Sequence, residues 1–285
     1  MLNLADIGTV KEILRQHDFS FSKSLGQNFL INPHICPRMA DSCACGAADC
    51  VVEIGPGIGV LTYELAQRFS RVVSFELDKR LLPVLSQTLS EFDNVSVINE
   101  DFLTADVEAI MSEYFDGKPF SVCANLPYYI TSPILMHLLE SRFPIDNITV
   151  MVQKEAADRI CAEPGSKMSG AISSTVHYYS EPQKLFDVSS GSFMPAPKVN
   201  SAVIQLKVRK QPPVSVDDEQ FFFKVIKAAF AQRRKTASNS LASGLGLSKA
   251  VIDDALIQSG FDKNIRAETF TLKNFADISN FLSRC

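Results

Sequence analysis

A chain of 285 residues exceeds one average domain, and its 46% hydrophobic content excludes a disordered polymer. No run of eighteen apolar residues occurs, so no membrane-spanning helix is expected. The net charge of −4 excludes a uniformly basic nucleic-acid binder, but Lys198 to Lys235 hold nine Lys or Arg against three acids, a local +6.

In chain order, Val10, Ile13 and Leu14 give the first residues a helical pattern, read as an N-terminal helical extension over residues 1–21. Asp6 and Glu12 interrupt any apolar stretch there, so no secretory leader is expected and the cytoplasm is the expected location. Four of the seven cysteines follow, at Cys36, Cys43, Cys45 and Cys50. Structural zinc favours two well-spaced pairs, and this spacing offers none, so small reduced side chains are the reading and no metal is expected. His17, His34, His137 and His177 fit no metal-binding or triad spacing.

Short β-branched runs then alternate with amphipathic stretches. Strands are expected at 51–54, 72–77, 95–98, 120–124 and 148–153, with helical patterns at 60–69, 81–89 and 133–139 between them. This order predicts a parallel sheet covered on both faces, an α/β domain. Runs 183–188 and 202–208 suit an antiparallel pair at the sheet edge. Gln211-Pro212-Pro213 is a stiff break and sets the expected boundary between residues 1–210 and a small all-helical domain over 211–285. There Asp217, Ser248 and Thr271 are expected helix caps, with Gly260 a stop. Phe221, Phe222 and Phe223 read as core rather than as a stacking platform.

The sequence Val51 to Gly59 is a buried strand running into Gly55-Pro56-Gly57-Ile58-Gly59 and then a helix. Glycine there permits backbone angles other residues avoid and lets a ligand approach the main chain. The first such turn of a doubly wound sheet holds a nucleotide-like cofactor. The loop is one residue shorter than the dinucleotide fingerprint, which favours S-adenosylmethionine; a ligand-free tight turn is the alternative. Glu76 ends the second strand near the offset expected of a ribose-binding carboxylate, and Asp101 after the third would meet the cofactor's adenine.

After the fourth strand comes Asn125-Leu126-Pro127-Tyr128. An adenine amine is a poor nucleophile because its lone pair is delocalised into the ring. Two hydrogen-bond acceptors on its two N–H groups favour a tetrahedral nitrogen. The Asn125 side-chain oxygen and the Leu126 carbonyl are a suitable pair, Pro127 fixes the turn, and Tyr128 offers a face for an unstacked base. Catalysis would rest on positioning and electrostatics.

These segments together resemble the ribosomal small-subunit RNA adenine dimethyltransferases, from about Phe21 to Glu268. Gln27-Asn28-Phe29-Leu30 resembles that family's opening motif, which implies that Asn28 and Leu30 close over the cofactor. Gly55 and Gly57 match its glycine loop, Glu76 its ribose acid, Asp101 its adenine acid, and Asn125 to Pro133 its catalytic turn. Phe193 to Val199 resembles the late loop, implying that Phe193 helps hold the target base and Lys198 lies near RNA. Phe230 to Thr236 resembles the basic motif, implying phosphate contacts for Arg233, Arg234 and Lys235, although cations at a helix C-terminus are also favoured by the dipole. The motif continues Ala237-Ser238-Asn239-Ser240, where more cationic character is expected.

The resemblance implies a Rossmann-like S-adenosylmethionine-dependent methyltransferase domain. It would dimethylate two adjacent adenines in a 3′-terminal hairpin of small-subunit ribosomal RNA and release S-adenosylhomocysteine. A monomer acting on a pre-ribosomal particle, with a part in subunit biogenesis, is the expected setting. Competing readings are a large-subunit ribosomal RNA methyltransferase conferring antibiotic resistance, a non-catalytic assembly factor, and, more distantly, a DNA adenine methyltransferase.

Overall fold

The computed structural model describes residues 4–22, 25–232 and 234–285. Among the described residues nine strands form: β1 (Phe29–Leu30), β2 (Cys50–Ile54), β3 (Arg71–Phe75), β4 (Val95–Ile98), β5 (Phe120–Asn125), β6 (Ile145–Gln153), β7 (Ser180–Val188), β8 (Phe193–Met194) and β9 (Ser201–Val208). Seven make one sheet in the order β4-β3-β2-β5-β6-β9-β7. The β2–β3, β3–β4, β2–β5 and β5–β6 pairs are parallel, and β6–β9 is antiparallel. Continuous burial of β2 and of most of β5 and β6 explains their unbroken apolar runs, since helices cover both faces of such a sheet.

Connections from β2 lead outward to β3 and β4, whereas β5 returns to the other side of β2. The switch point therefore lies between the carboxyl ends of β2 and β5, where ligands of doubly wound sheets bind. Glu53 sits opposite Cys123 in that pair, so the loop after Ile54 and the turn at Asn125 are set side by side. Register, not sequence proximity, builds the cleft.

The expected strands and helices sit close to their sequence positions, with helices at Val60–Ala66, Leu82–Thr88 and Thr131–Glu140. The two late runs are sheet neighbours, β7 at the edge and β9 inserted beside β6. The extension is a helix, Ile7–Gln16, capped by Asp6 and burying Val10, Ile13 and Leu14. Cys36, Cys43 and Cys123 are buried in a core cluster with Leu61, Val72 and Val203, as small apolar side chains are. Among the described residues no group of three His, Cys, Asp or Glu is placed to hold a metal ion.

The division into units differs from the sequence expectation. One unit comprises the chain to Ala157 with Gln183–Val208; the other comprises Asp158–Pro182 with Arg209–Cys285. The segment 158–182 joins the helical unit because its helix, Ala171–Tyr179, sends Tyr178 onto the rings of Phe222 and Phe223. Those rings are core, as their pattern indicates. The first helix of the tail, Glu219–Phe230, is capped by Asp218 rather than Asp217, whose carboxylate binds Arg284 instead. Ser248 and Thr271 cap the helices Lys249–Gln258 and Leu272–Leu282.

A further helix, Ala237–Leu245, is capped by Thr236. Its serines account for the missing cations. Ser238 is fully buried and donates to Asp253, while the Ser240 hydroxyl donates to the Ala228 carbonyl at 2.7 Å. A lysine at either place would force a long charged side chain into a buried position and carry the cost of its desolvation.

Candidate active site

One cleft, enclosing about 1130 Å³ including open solvent, lies at the switch point. Its walls include Asn28, Leu30, Gly55, Gly57, Glu76, Asp101, Asn125, Leu126, Tyr128 and Phe193, residues drawn from widely separated parts of the chain. Lys198, Arg234 and Lys235 are exposed and lie outside this lining; Arg233 falls outside the described residues. Arg234 and Lys235 follow the end of helix Glu219–Phe230 instead of occupying its last turn, so the dipole of that helix does not explain them. Arg209, another member of the basic stretch, is paired with Glu181 at 2.7 Å and bonded to two carbonyls.

The floor is the glycine loop. Gly55, Gly57 and Gly59 all hold left-handed φ values of +74, +61 and +91°. The Gly55 amide donates to the Phe75 carbonyl at 2.9 Å, tying the loop to β3. A Cβ at Gly55 would meet no atom within 4 Å, so its α-carbon faces open cleft. At Gly57 a Cβ would come 3.0 Å from the Phe29 ring. The opening motif therefore packs directly over the loop.

Glu76 is only 6% exposed and accepts main-chain N–H bonds from Gly57 at 3.2 Å and Asp78 at 2.8 Å. Burial raises its pKa, and these two donors oppose the rise. Asp101 is exposed, with one oxygen accepting from the Leu103 amide at 3.0 Å. The cleft thus offers two carboxylates, one rigidly held and one at the rim.

Glu53 lies deeper, 1% exposed, and accepts from the Thr62 hydroxyl at 2.6 Å and the Ser74 hydroxyl at 2.8 Å. Burial pushes its carboxyl up to about 7 against those hydrogen bonds. Because the folded value lies above the unfolded one, ionisation penalises folding progressively from about pH 4.5 to 7 and levels off above that. Glu53→Gln is therefore expected to gain about 2–3 kcal/mol over wild type between pH 4.5 and 8, by denaturant titration. A mutant-to-wild-type difference independent of pH would contradict this.

The turn after β5 is held at three points. The Leu126 amide donates to the Met151 carbonyl at 3.2 Å, and the Asn125 Nδ2 donates to the Asn28 carbonyl at 3.4 Å. Tyr128 is half-buried, with its hydroxyl 2.7 Å from the Ser201 Oγ; burial raises its pKa. With Nδ2 committed to Asn28, Oδ1 is the Asn125 amide atom left to accept a hydrogen bond.

Two links are absent from the sequence reading. Strands β1 and β8 pair antiparallel, Phe29 with Met194 and Leu30 with Phe193, fastening the opening motif to the late loop. Phe193 is 3% exposed and packs in the core with Leu30 and Val203 while lining the cleft. The second link is Asp78, which takes a two-point bond from Arg80 at 2.7 and 2.8 Å and a third from Gln27 at 2.8 Å. The charged run directly after β3, Glu76-Leu77-Asp78-Lys79-Arg80, is the signal that marks it.

The chain matches the family model described as ribosomal RNA adenine dimethylase over residues 18–284. A protein of Geobacillus sp. (strain WCH70) named Ribosomal RNA small subunit methyltransferase A is 48% identical over 284 residues, 98% of each chain. Its namesake in Bacillus mycoides (strain KBAB4) is 46% identical over 286 residues, 99% of this chain and 98% of the relative. Among solved structures, the 23S rRNA methyltransferase ErmE superposes with a TM-score of 0.69 at 27% identity, covering 90% of this chain and all of that one. A dimethyladenosine transferase from Plasmodium falciparum shares the fold, with a TM-score of 0.72 at 21% identity over 88% of this chain and 95% of that one.

Proposed function

Since the chain belongs to the ribosomal RNA adenine dimethylase family, we propose that it transfers methyl groups from S-adenosylmethionine to adenine N6 in small-subunit ribosomal RNA. The relatives at 46–48% identity carry the small-subunit name over nearly their whole length, whereas the large-subunit enzyme stands at 27%. That difference favours the small subunit. In this reading the substrates are two adjacent adenines of a 3′-terminal hairpin within a pre-ribosomal particle. The protein works as a monomer in the cytoplasm, and subunit biogenesis is its setting.

The cleft suits the cofactor. The open space at the Gly55 α-carbon is a cradle that a side chain would fill. Glu76 would accept from ribose hydroxyls, Asp101 from the cofactor's adenine amine, and Asn28 and Leu30 would close over it. S-adenosylmethionine, when bound, supplies an electrophilic methyl on a positively charged sulfur, and S-adenosylhomocysteine is the product.

The chain's own part is to bind and orient. Asn125 Oδ1 and the Leu126 carbonyl accept from the target amine and help localise its lone pair. Tyr128 stacks on the extruded base, with its hydroxyl anchored on Ser201 so that the ring keeps its angle. After one methylation the amine retains a single N–H, so the second transfer proceeds with one acceptor engaged. Phe193 supports the base from the late loop. Lys198, Arg233, Arg234 and Lys235 would contact phosphates.

The observation that carries the proposal is the Asn125 amide, oriented by the Asn28 carbonyl at a cleft floored by the glycine loop. Incubation with labelled cofactor and separated small and large subunits from unmethylated ribosomes tests it. Label is expected in small-subunit adenines; label confined to large-subunit RNA would reverse the assignment.

A further inference from the structure

The turn that carries Asn125 continues in two tyrosines with unlike surroundings. Tyr128 is half-buried and anchored on Ser201. Tyr129 is 58% exposed, although it lines the same cleft. Among the described residues its hydroxyl has no hydrogen-bond partner and its ring pairs with no other aromatic. The ring stands beside Gly26, where an added Cβ would lie 3.4 and 3.5 Å from its Cε1 and Cδ1, so the absence of a side chain at Gly26 leaves that side of the ring uncrowded.

A base drawn out of a stacked strand leaves its neighbour with an uncovered face. A flat exposed ring lining the cleft can replace the lost stack, because every base has a face to lay on it. We propose that Tyr129 is a second base subsite, a platform on which the unpaired nucleotide flanking the target adenine stacks. This rests on the adenine chemistry proposed for the cleft. The hydroxyl has no part in it; any aromatic face of similar size serves, whichever base flanks the target.

Steady-state methylation of unmethylated small subunits by the full-length protein tests the platform. Tyr129→Ala is expected to raise KM for the subunit about tenfold, the size of one lost base–aromatic stack, with kcat changed by less than about twofold. Tyr129→Phe and Tyr129→Trp are expected to restore the low KM. Affinity for S-adenosylhomocysteine, by calorimetry, should not follow KM in this series. A wild-type KM in Tyr129→Ala would overturn the inference. So would a Phe variant as defective as the Ala variant, or a matching fall in S-adenosylhomocysteine affinity. Wild-type protein that leaves small subunits unlabelled would instead remove the underlying reading, and this subsite with it.

Discussion

Asn125→Ala is expected to lower kcat for methyl transfer by about 10²–10³-fold, the usual cost of deleting one positioned hydrogen-bonding group from a reaction centre. The change removes the side-chain acceptor and also the bond to the Asn28 carbonyl. Leu126 remains pinned to Met151, so the turn itself should survive. RNA affinity, measured by filter binding, should stay near wild type, because Lys198, Arg234 and Lys235, proposed to contact phosphates, lie outside the cleft lining. Asn125→Asp separates the two roles. It keeps an oxygen acceptor but sets a carboxylate against the Asn28 carbonyl, and it should also be strongly impaired. Single-turnover assays with labelled cofactor read both variants, and full activity in Asn125→Ala would remove the chemistry proposed here.

Gly55→Ala is expected to weaken S-adenosylhomocysteine binding about a hundredfold while costing little stability. The left-handed φ of +74° penalises alanine by about 1–2 kcal/mol, which lowers the thermal midpoint by only a few degrees. No protein atom lies within 4 Å of the added Cβ, so lost affinity would reflect space taken from the ligand and not a repacked loop. Gly57→Ala provides the contrast. There the Cβ meets the Phe29 ring, which also packs against Phe21 with ring centroids 5.1 Å apart, so stability and binding should fall together. Calorimetry and thermal melts on the two variants distinguish a cradle from a merely tight turn. Unchanged affinity in Gly55→Ala would favour the turn.

The parts of this site legible in the sequence are those whose geometry is local. The glycine loop declares itself because left-handed angles at Gly55 and Gly57 restrict the residue type. Glu76 and Asn125 are legible because the first directly follows and the second ends a strand whose apolar run is visible, and parallel order then brings the strand ends together. The β1–β8 pairing is not legible: two-residue strands carry no periodicity, and Leu30 and Phe193 meet only through the tertiary fold. Helix Ala171–Tyr179 escapes the pattern for another reason. Its Ser173, Ser174 and Thr175 are buried polar residues, which mask an apolar face. In sequence the segment 158–182 therefore reads as part of the sheet domain, although Tyr178 commits it to the helical unit. Ala237–Leu245 is hidden in the same way by Ser238 and Ser240.

In the proposed reaction the Asn125 oxygen and the Leu126 carbonyl face a methyl donor lying along the glycine loop. A crystal structure of the protein with S-adenosylhomocysteine and adenosine measures this directly. Ribose hydroxyls are expected on Glu76, the cofactor sulfur directed at Asn125, and the adenosine amine within hydrogen-bond reach of both oxygens. A cofactor bound elsewhere, or an adenosine amine directed away from that turn, would contradict this arrangement.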